Sequence, residues 1–113
     1  TIVGQLMSDG RVRRAYLGIA GGPRPLPPRV RAAHGGMESA VEVVEVVAGS
    51  PAERDGLRAE DLIVAIDGVP TPRVDDVQRL MVADRIGRTM DVDAVRDGRD
   101  LKLRVTPAEM TGA

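Results

Sequence analysis

Hydrophobic and polar positions in this chain follow two periods: a two-residue alternation that predicts half-buried strands, and two stretches of helical spacing. Ile2, Val3, Leu6 and Met7 share one helical stripe and predict a short helix over residues 1–10, closed by Asp9-Gly10. Val12 to Ala20 reads as a strand that Gly21-Gly22-Pro23 ends. Residues 21–39 hold four of the eight prolines and four glycines, which predicts a loop with polyproline character at Pro25–Pro28 and at most a short helix over Arg29 to His34. Ala40 to Val47 is a Val-rich strand. Its doubled valines, Val43-Val44 and Val46-Val47, imply either that both faces are covered or that a bulge shifts the phase.

Gly49-Ser50-Pro51 starts a helix, with Ser50 as N-cap, Pro51 at the first helical position and Glu53 in the first turn. Gly56 stops it and turns Leu57 back to the core. Asp61 to Ile66 is a central strand, with Leu62, Val64 and Ile66 on one face and Ile63 and Ala65 on the other. Val69-Pro70 can pair only at an edge. Val74, Val77, Leu80 and Met81 give the apolar spacing of a helix over 74–85. Thr89 to Val95 and Leu101, Leu103 and Val105 form a hairpin around Asp97-Gly98. Pro107 ends the fold, and residues 108–113 read as a flexible tail. The class is mostly β with two to three α-helices, a five- to six-stranded sheet closing into a partly open barrel or sandwich.

Composition narrows the function. The 113 residues suit one domain with a modest core. A net charge of −1 makes no case for nucleic acid or an anionic membrane. With no Phe, no Trp and one Tyr, the chain has no aromatic platform for single-stranded nucleic acid. The absence of Cys excludes disulfides and Cys-based zinc sites. Its longest apolar run, Leu62 to Ile66, is too short to span a bilayer. No signal peptide and no initiator Met are present, so the chain is expected to be a piece excised from a longer one.

The chemistry centres on Arg13-Arg14-Ala15-Tyr16-Leu17-Gly18-Ile19. A glycine between apolar residues lets backbone come close to a ligand. Exposed N–H groups beside two cations make an anion site. If the following strand keeps a free edge, a peptide can add there with its terminal carboxylate in the nest.

Tyr16-Leu17-Gly18-Ile19, Gly49-Ser50-Pro51-Ala52-Glu53-Arg54-Asp55-Gly56-Leu57 and Asp61-Leu62-Ile63-Val64-Ala65-Ile66-Asp67-Gly68 together resemble a PDZ domain. More narrowly, they resemble the PDZ domain that follows the trypsin-like domain in bacterial HtrA/Deg-type serine proteases. The likeness covers residues 11–107. Two positions depart from the family pattern: Asp55 stands where Ala is usual and Glu60 where Gly is usual. Both are expected to be exposed. The leading helix and Arg13-Arg14 are similar to the linker joining protease and PDZ domains in that family.

The resemblance implies a carboxylate site built by Tyr16, Leu17, Gly18 and Ile19, with the N–H groups of Leu17, Gly18 and Ile19 on the two oxygens. Arg14 or Arg13 either assists electrostatically or is an ordinary surface arginine. It implies a peptide groove along Ala20, Val74, Val77, Gln78 and Met81. Val74, Gln78 and Met81 form its helical stripe, Met81 deepest, while Val77 and Leu80 lean to the core.

Other readings are weaker. His34, the only histidine, lies in a Pro/Gly segment and is expected to be a solvent-exposed loop residue; no Gly-x-Ser-x-Gly elbow accompanies Ser8, Ser39 or Ser50. Scattered carboxylates lack metal-ligand spacing. Asp75-Asp76 is a first-turn acid pair. Gly21-Gly22 lacks the rest of a phosphate loop. No cofactor is expected.

The expected function is therefore capture of C-terminal peptides or unfolded segments by strand addition, as the substrate-recognition or regulatory domain of an HtrA-like protease. The alternative is a docking module that contacts the protease domain or another subunit, its groove covered by residues 21–39. No catalytic residue is expected in this chain. The resemblance implies an extracytoplasmic or membrane-associated parent whose serine-protease triad lies upstream.

Overall fold

A computed structural model describes residues 14–110. The helix expected over 1–10, and Arg13, lie outside them. Among the described residues, eight strands form two sheets. The strands are β1 (Ala15–Tyr16), β2 (Ile19–Pro25), β3 (Ser39–Val46), β4 (Leu62–Ile66), β5 (Val69–Pro70), β6 (Met90–Arg96), β7 (Arg99–Val105) and β8 (Ala108–Glu109). Three helices, α1 (Pro28–Ala33), α2 (Pro51–Arg54) and α3 (Val74–Leu80), and a 3₁₀ turn at Ala83–Arg85 complete the described chain. The larger sheet runs β2-β3-β4-β6-β7, with β5 paired to β4; β1 pairs with β8. All these strand pairs are antiparallel, and the larger sheet stays open at β2.

Tight turns set the registers. Asp97-Gly98 joins Arg96 to its partner Arg99 with positive φ at both turn residues, and Asp67-Gly68 does the same between Ile66 and Val69. Ser50 caps α2 by accepting the Glu53 N–H at 3.2 Å, and the Glu53 carboxylate accepts the Gly49 N–H at 2.8 Å. Gly56, at φ +104°, ends the turn, and the Leu57 N–H returns to the Ala52 carbonyl at 2.9 Å. Asp61 is fully buried. It accepts the Arg58 N–H and takes a two-pronged contact from Arg96 at 2.7 and 2.8 Å.

The core has two parts. The larger holds Leu17, Val41, Val43, Leu57, Ile63, Ile66, Val77, Met81, Met90, Val92 and Val105. The smaller holds Leu26, Ala40, Val64 and Val95, with Val30, Met37 and Leu62 against it. Neighbouring residues such as Ala40 and Val41 fall in different parts, so the two lie on opposite faces of the sheet.

Several sequence expectations need correction. Gly21-Gly22-Pro23 does not end the first long strand: the break falls at Leu17-Gly18, and β2 runs on to Pro25. The strand lies at the sheet edge, where proline is tolerated. Residues 21–39 are thus strand, helix and short turns rather than one long loop. β3 has both a bulge and two covered faces. Its register jumps between Ala20 and Gly21, so Val43 and Val46 both reach the main core while Val44 is exposed.

The β4 alternation is also broken. Its register shifts between Ile63 and Ala65, which sends Ile63 and Ile66 to the main core and Leu62 and Val64 to the smaller one. Buried Thr71 satisfies this bulge, its N–H bonding the Val64 carbonyl and its hydroxyl the Ile63 carbonyl. The helix expected over 74–85 stops at Leu80, because Met81 leaves helical geometry and Val82 bridges Arg14. Residues 108 and 109 form β8, so a tail beginning at 108 is not observed; residues 111–113 lie outside the described chain.

Candidate functional site

A cleft of about 620 Å³ separates the free edge of β2 from α3. It is lined by every described residue that the sequence nominated: Arg14, Tyr16, Leu17, Gly18, Ile19 and Ala20 on one side, Val74, Val77, Gln78 and Met81 on the other. Leu80 does not line it and packs on the core. Val77 and Met81 do both, lining the cleft while nearly buried in the main core. The division of the helix into a groove stripe and a core stripe therefore gives way to a shared wall. Ala15, Gly21, Val41 and Met110 complete the lining. Ala15 and Gly21 adjoin the nominated residues in sequence, and Val41 lies on β3. Met110 was not legible, because two-residue β8 carries too little periodicity to be read.

The loop Leu17-Gly18 is held from behind. The Leu17 carbonyl accepts the Ala52 N–H at 2.9 Å, and the Gly18 carbonyl accepts the Val47 N–H at 2.8 Å. Among the described residues, the Leu17 and Gly18 N–H groups have no backbone or side-chain acceptor. The Val47–Gly18 bond flanks the Ile19/Val46 pair, which makes that pair the non-hydrogen-bonded kind. The N–H of Ile19 therefore points away from β3, towards the cleft. Three consecutive donors border one end of it, in a segment kinked by Gly18 at φ +89°.

Arg14 lies at the same end. Its guanidinium donates to the Gln78 carbonyl at 2.9 Å, at the C-terminal end of α3, where the helix dipole favours a cation. The Ala15 N–H bonds the Met81 carbonyl at 3.3 Å, which ties β1 to the same helix end. At the other end, Gly21 faces Val74: a Cβ on Gly21 would lie 4.0 Å from Val74 and 2.9 Å from Val41. Strand β2 and helix α3 thus run antiparallel along the cleft.

No residue from 22 to 39 lines this cleft. Leu26, Val30 and Met37 instead pack with the smaller core, on the other face of the sheet. The segment that the alternative reading places over the groove has these three residues on the opposite face of the sheet.

A larger, shallower hollow of about 800 Å³ lies beside α1, lined among others by His34, Met37, Val64, Asp93, Asp100 and Lys102. His34 is not the exposed loop residue expected. It caps the C-terminal end of α1, is mostly covered, and sets Nε2 3.0 Å from the Asp100 carboxylate. Among the described residues, Ser50 is a buried N-cap and Ser39 donates its hydroxyl to the Pro72 carbonyl at 2.9 Å, so neither pairs with His34 in a hydrolytic triad. Among the described residues, no three of His, Asp and Glu gather as a metal site.

The two family departures prove to be structural. Glu60 is exposed as expected, but at φ +78°, where glycine is favoured. Asp55 is not exposed: it accepts the Thr106 N–H at 3.0 Å and two bonds from Arg54.

A family model for the PDZ domain matches residues 16–106, and the chain belongs to that family. It is 34% identical over 110 residues to the serine endoprotease DegS of Escherichia coli (strain K12), covering 96% of this chain and 30% of that one. It is 31% identical over 111 residues to a probable periplasmic serine endoprotease, DegP-like, of Chlamydia muridarum, covering 96% and 22%. The chain thus spans less than a third of the length of these relatives. Among solved structures, the HtrA-type protease AlgW with decapeptide superposes with a TM-score of 0.76 at 23% identity, covering 95% of this chain and 33% of that one. The HtrA3 PDZ domain bound to a phage-derived ligand (FGRWV) superposes with a TM-score of 0.66 at 23% identity, covering 88% and 90%. At these identities the structural likeness speaks for the fold.

Proposed function

We propose that this domain captures the C-terminal segment of a polypeptide as a strand added to the free edge of β2. The observation that carries this reading is the row of unpaired N–H groups at Leu17, Gly18 and Ile19, set where that edge begins. Three oriented donors suit the two oxygens of a terminal carboxylate. Tyr16 and Arg14 frame the nest, and Arg14 adds positive potential. The last side chain then enters an aliphatic pocket of Leu17, Ile19, Val77 and Met81. Ala20, Gln78 and Val74 flank the residues before it. Affinity is expected in the micromolar range, about −8 kcal/mol.

In the whole protein, the domain would recruit substrates for, or regulate, an upstream trypsin-like serine endopeptidase. Its catalytic triad would lie outside this chain. The curated relatives are serine endoproteases, one of them described as periplasmic, which supports an extracytoplasmic parent. Among the described residues, no helix is long and apolar enough to cross a membrane.

Amide-shift NMR tests the reading. Short peptides ending in apolar residues are titrated as free acids and as C-terminal amides. Shifts at Leu17, Gly18 and Ile19 with the acids, lost with the amides and in Met81→Glu, are the expected result. Equal shifts with acids and amides would show that the nest does not read the carboxylate.

A further inference from the structure

Met110 lies beyond the residues that the family model matches, yet it lines the cleft. A short ribbon brings it there. Arg14 bridges Val82, and the Met110 N–H donates to the Arg14 carbonyl at 2.8 Å, which extends the β1–β8 register by one residue. Directly paired residues of antiparallel strands project to the same side. Val82, Arg14 and Met110 therefore form a row across three backbone segments. The Arg14 and Met110 part of this row reaches the cleft, and Val82 does not.

The row stands at the carboxylate end. Arg14 is tied to Gln78 and Ala15 to Met81, both at the C-terminal end of α3, and Ala15-Tyr16 leads straight into Leu17. Any peptide whose last carboxylate sits at Leu17–Ile19 places its last side chain at this end. The inner wall there is buried and aliphatic, built by Leu17, Val77 and Met81. Met110, also in the lining, is 49% exposed, so it has apolar surface left to cover. Its unbranched thioether adapts to the shape of a guest.

We infer that Met110 determines specificity in this cleft, favouring peptides whose last side chain is long and aliphatic over those ending in a short one. A short side chain meets only the inner wall. A leucine- or methionine-sized one also covers Met110. The inference rests on the peptide-capture reading above.

The test compares the 113-residue chain with its Met110→Ala and Met110→Leu forms. The probes are short peptides identical except for a last residue of Ala, Val, Leu or Met, all as free acids. In Met110→Ala, the peptides ending in Leu or Met should bind about four- to fifteenfold more weakly, the loss expected for one or two methylene-sized contacts, with those ending in Ala or Val changed by less than about twofold. Met110→Leu should keep the wild-type ranking. The Met110 methyl resonance of the unaltered chain should move with peptides ending in Leu and stay still with those ending in Ala. Equal weakening of every peptide, or no change in any, overturns the inference while leaving peptide capture intact. If no free acid shifts Leu17–Ile19 in the unaltered chain, peptide capture falls, and the inference with it. The Met110 N–H bond to Arg14 survives both substitutions, and an unchanged amide spectrum confirms the fold.

Discussion

Gly18 and Ser50 are packed so closely that a Cβ on Gly18 would stand 2.1 Å from the Ser50 Cβ. The contact fixes the donor loop against the start of α2. It also explains why the loop uses glycine twice over, since φ there is +89° as well. Gly18→Ala should destabilise the domain by about 2–4 kcal/mol, combining a left-handed backbone penalty with a steric one. The steric part is separable. Ser50→Gly removes the obstructing atoms and weakens the cap only slightly. In urea denaturation, the Gly18→Ala, Ser50→Gly pair should therefore be less destabilised than the sum of the single variants. Strict additivity would mean that the loop relaxes away from Ser50 and that the close packing costs nothing.

Glu60 makes the opposite case, a side chain where glycine would serve better. It is exposed, its φ is +78°, and its N–H is already committed to the Val43 carbonyl at 2.7 Å. Relief of the left-handed strain outweighs the extra freedom that glycine gives the unfolded chain. Glu60→Gly should stabilise by about 0.5–1 kcal/mol. Thermal melting checks the sign, and a lower midpoint would show that the Glu60 side chain contributes something the backbone geometry does not reveal.

Where the sequence was legible, a local rule decided the structure. Ser50-Pro51 capped a helix, Asp97-Gly98 closed a hairpin, and the Leu17-Gly18 kink marked the cleft. Where it was not, the deciding partner lay elsewhere in the chain. Gly21, Gly22 and Pro23 looked like a strand end, but their place in β2 is set by pairing with β3, and Gly21 is needed because Val41 packs against its backbone. The β4 bulge depends on Thr71, and the early stop of α3 accompanies the Val82 bridge to Arg14. Met110 reached the site through two residues of pairing, too few to leave a pattern.

Asp55 should give the domain a measurable acid arm. Its carboxyl is held below the ordinary value of 3.8, first by the hydrogen bonds from Arg54 and then by the Thr106 N–H. A carboxyl whose folded pKa lies below its unfolded one adds stability that is fully present above the unfolded value. That stability is lost as pH falls through the folded value. The gap between the unaltered chain and Asp55→Asn should thus be constant from pH 7 down to about 5, then narrow steadily as the carboxyl protonates. Urea midpoints across that range measure it. A gap that persists at pH 2 would assign the effect to the shape of the side chain and not to its charge.

Val30 belongs to the smaller core, on the face of the sheet away from the larger one. It lies on α1 and packs with Leu26, Val64 and Val95 in the smaller core, and no part of α1 lines the cleft. Val30→Asp puts a carboxylate against that apolar surface and should cost about 1–2 kcal/mol, its partial exposure limiting the loss. Peptide affinity should stay the same, because β2 up to Gly21, the donor loop and α3 are held by the larger core. If α1 instead covers the groove, the same substitution loosens it and peptides bind more tightly. Calorimetric titration of Val30→Asp with one peptide acid, at a temperature where the variant remains folded, distinguishes the two. An unchanged dissociation constant beside a lowered melting temperature leaves α1 as a support for the back of the sheet. Tighter binding would restore the covered-groove alternative and make α1 the element that regulates access.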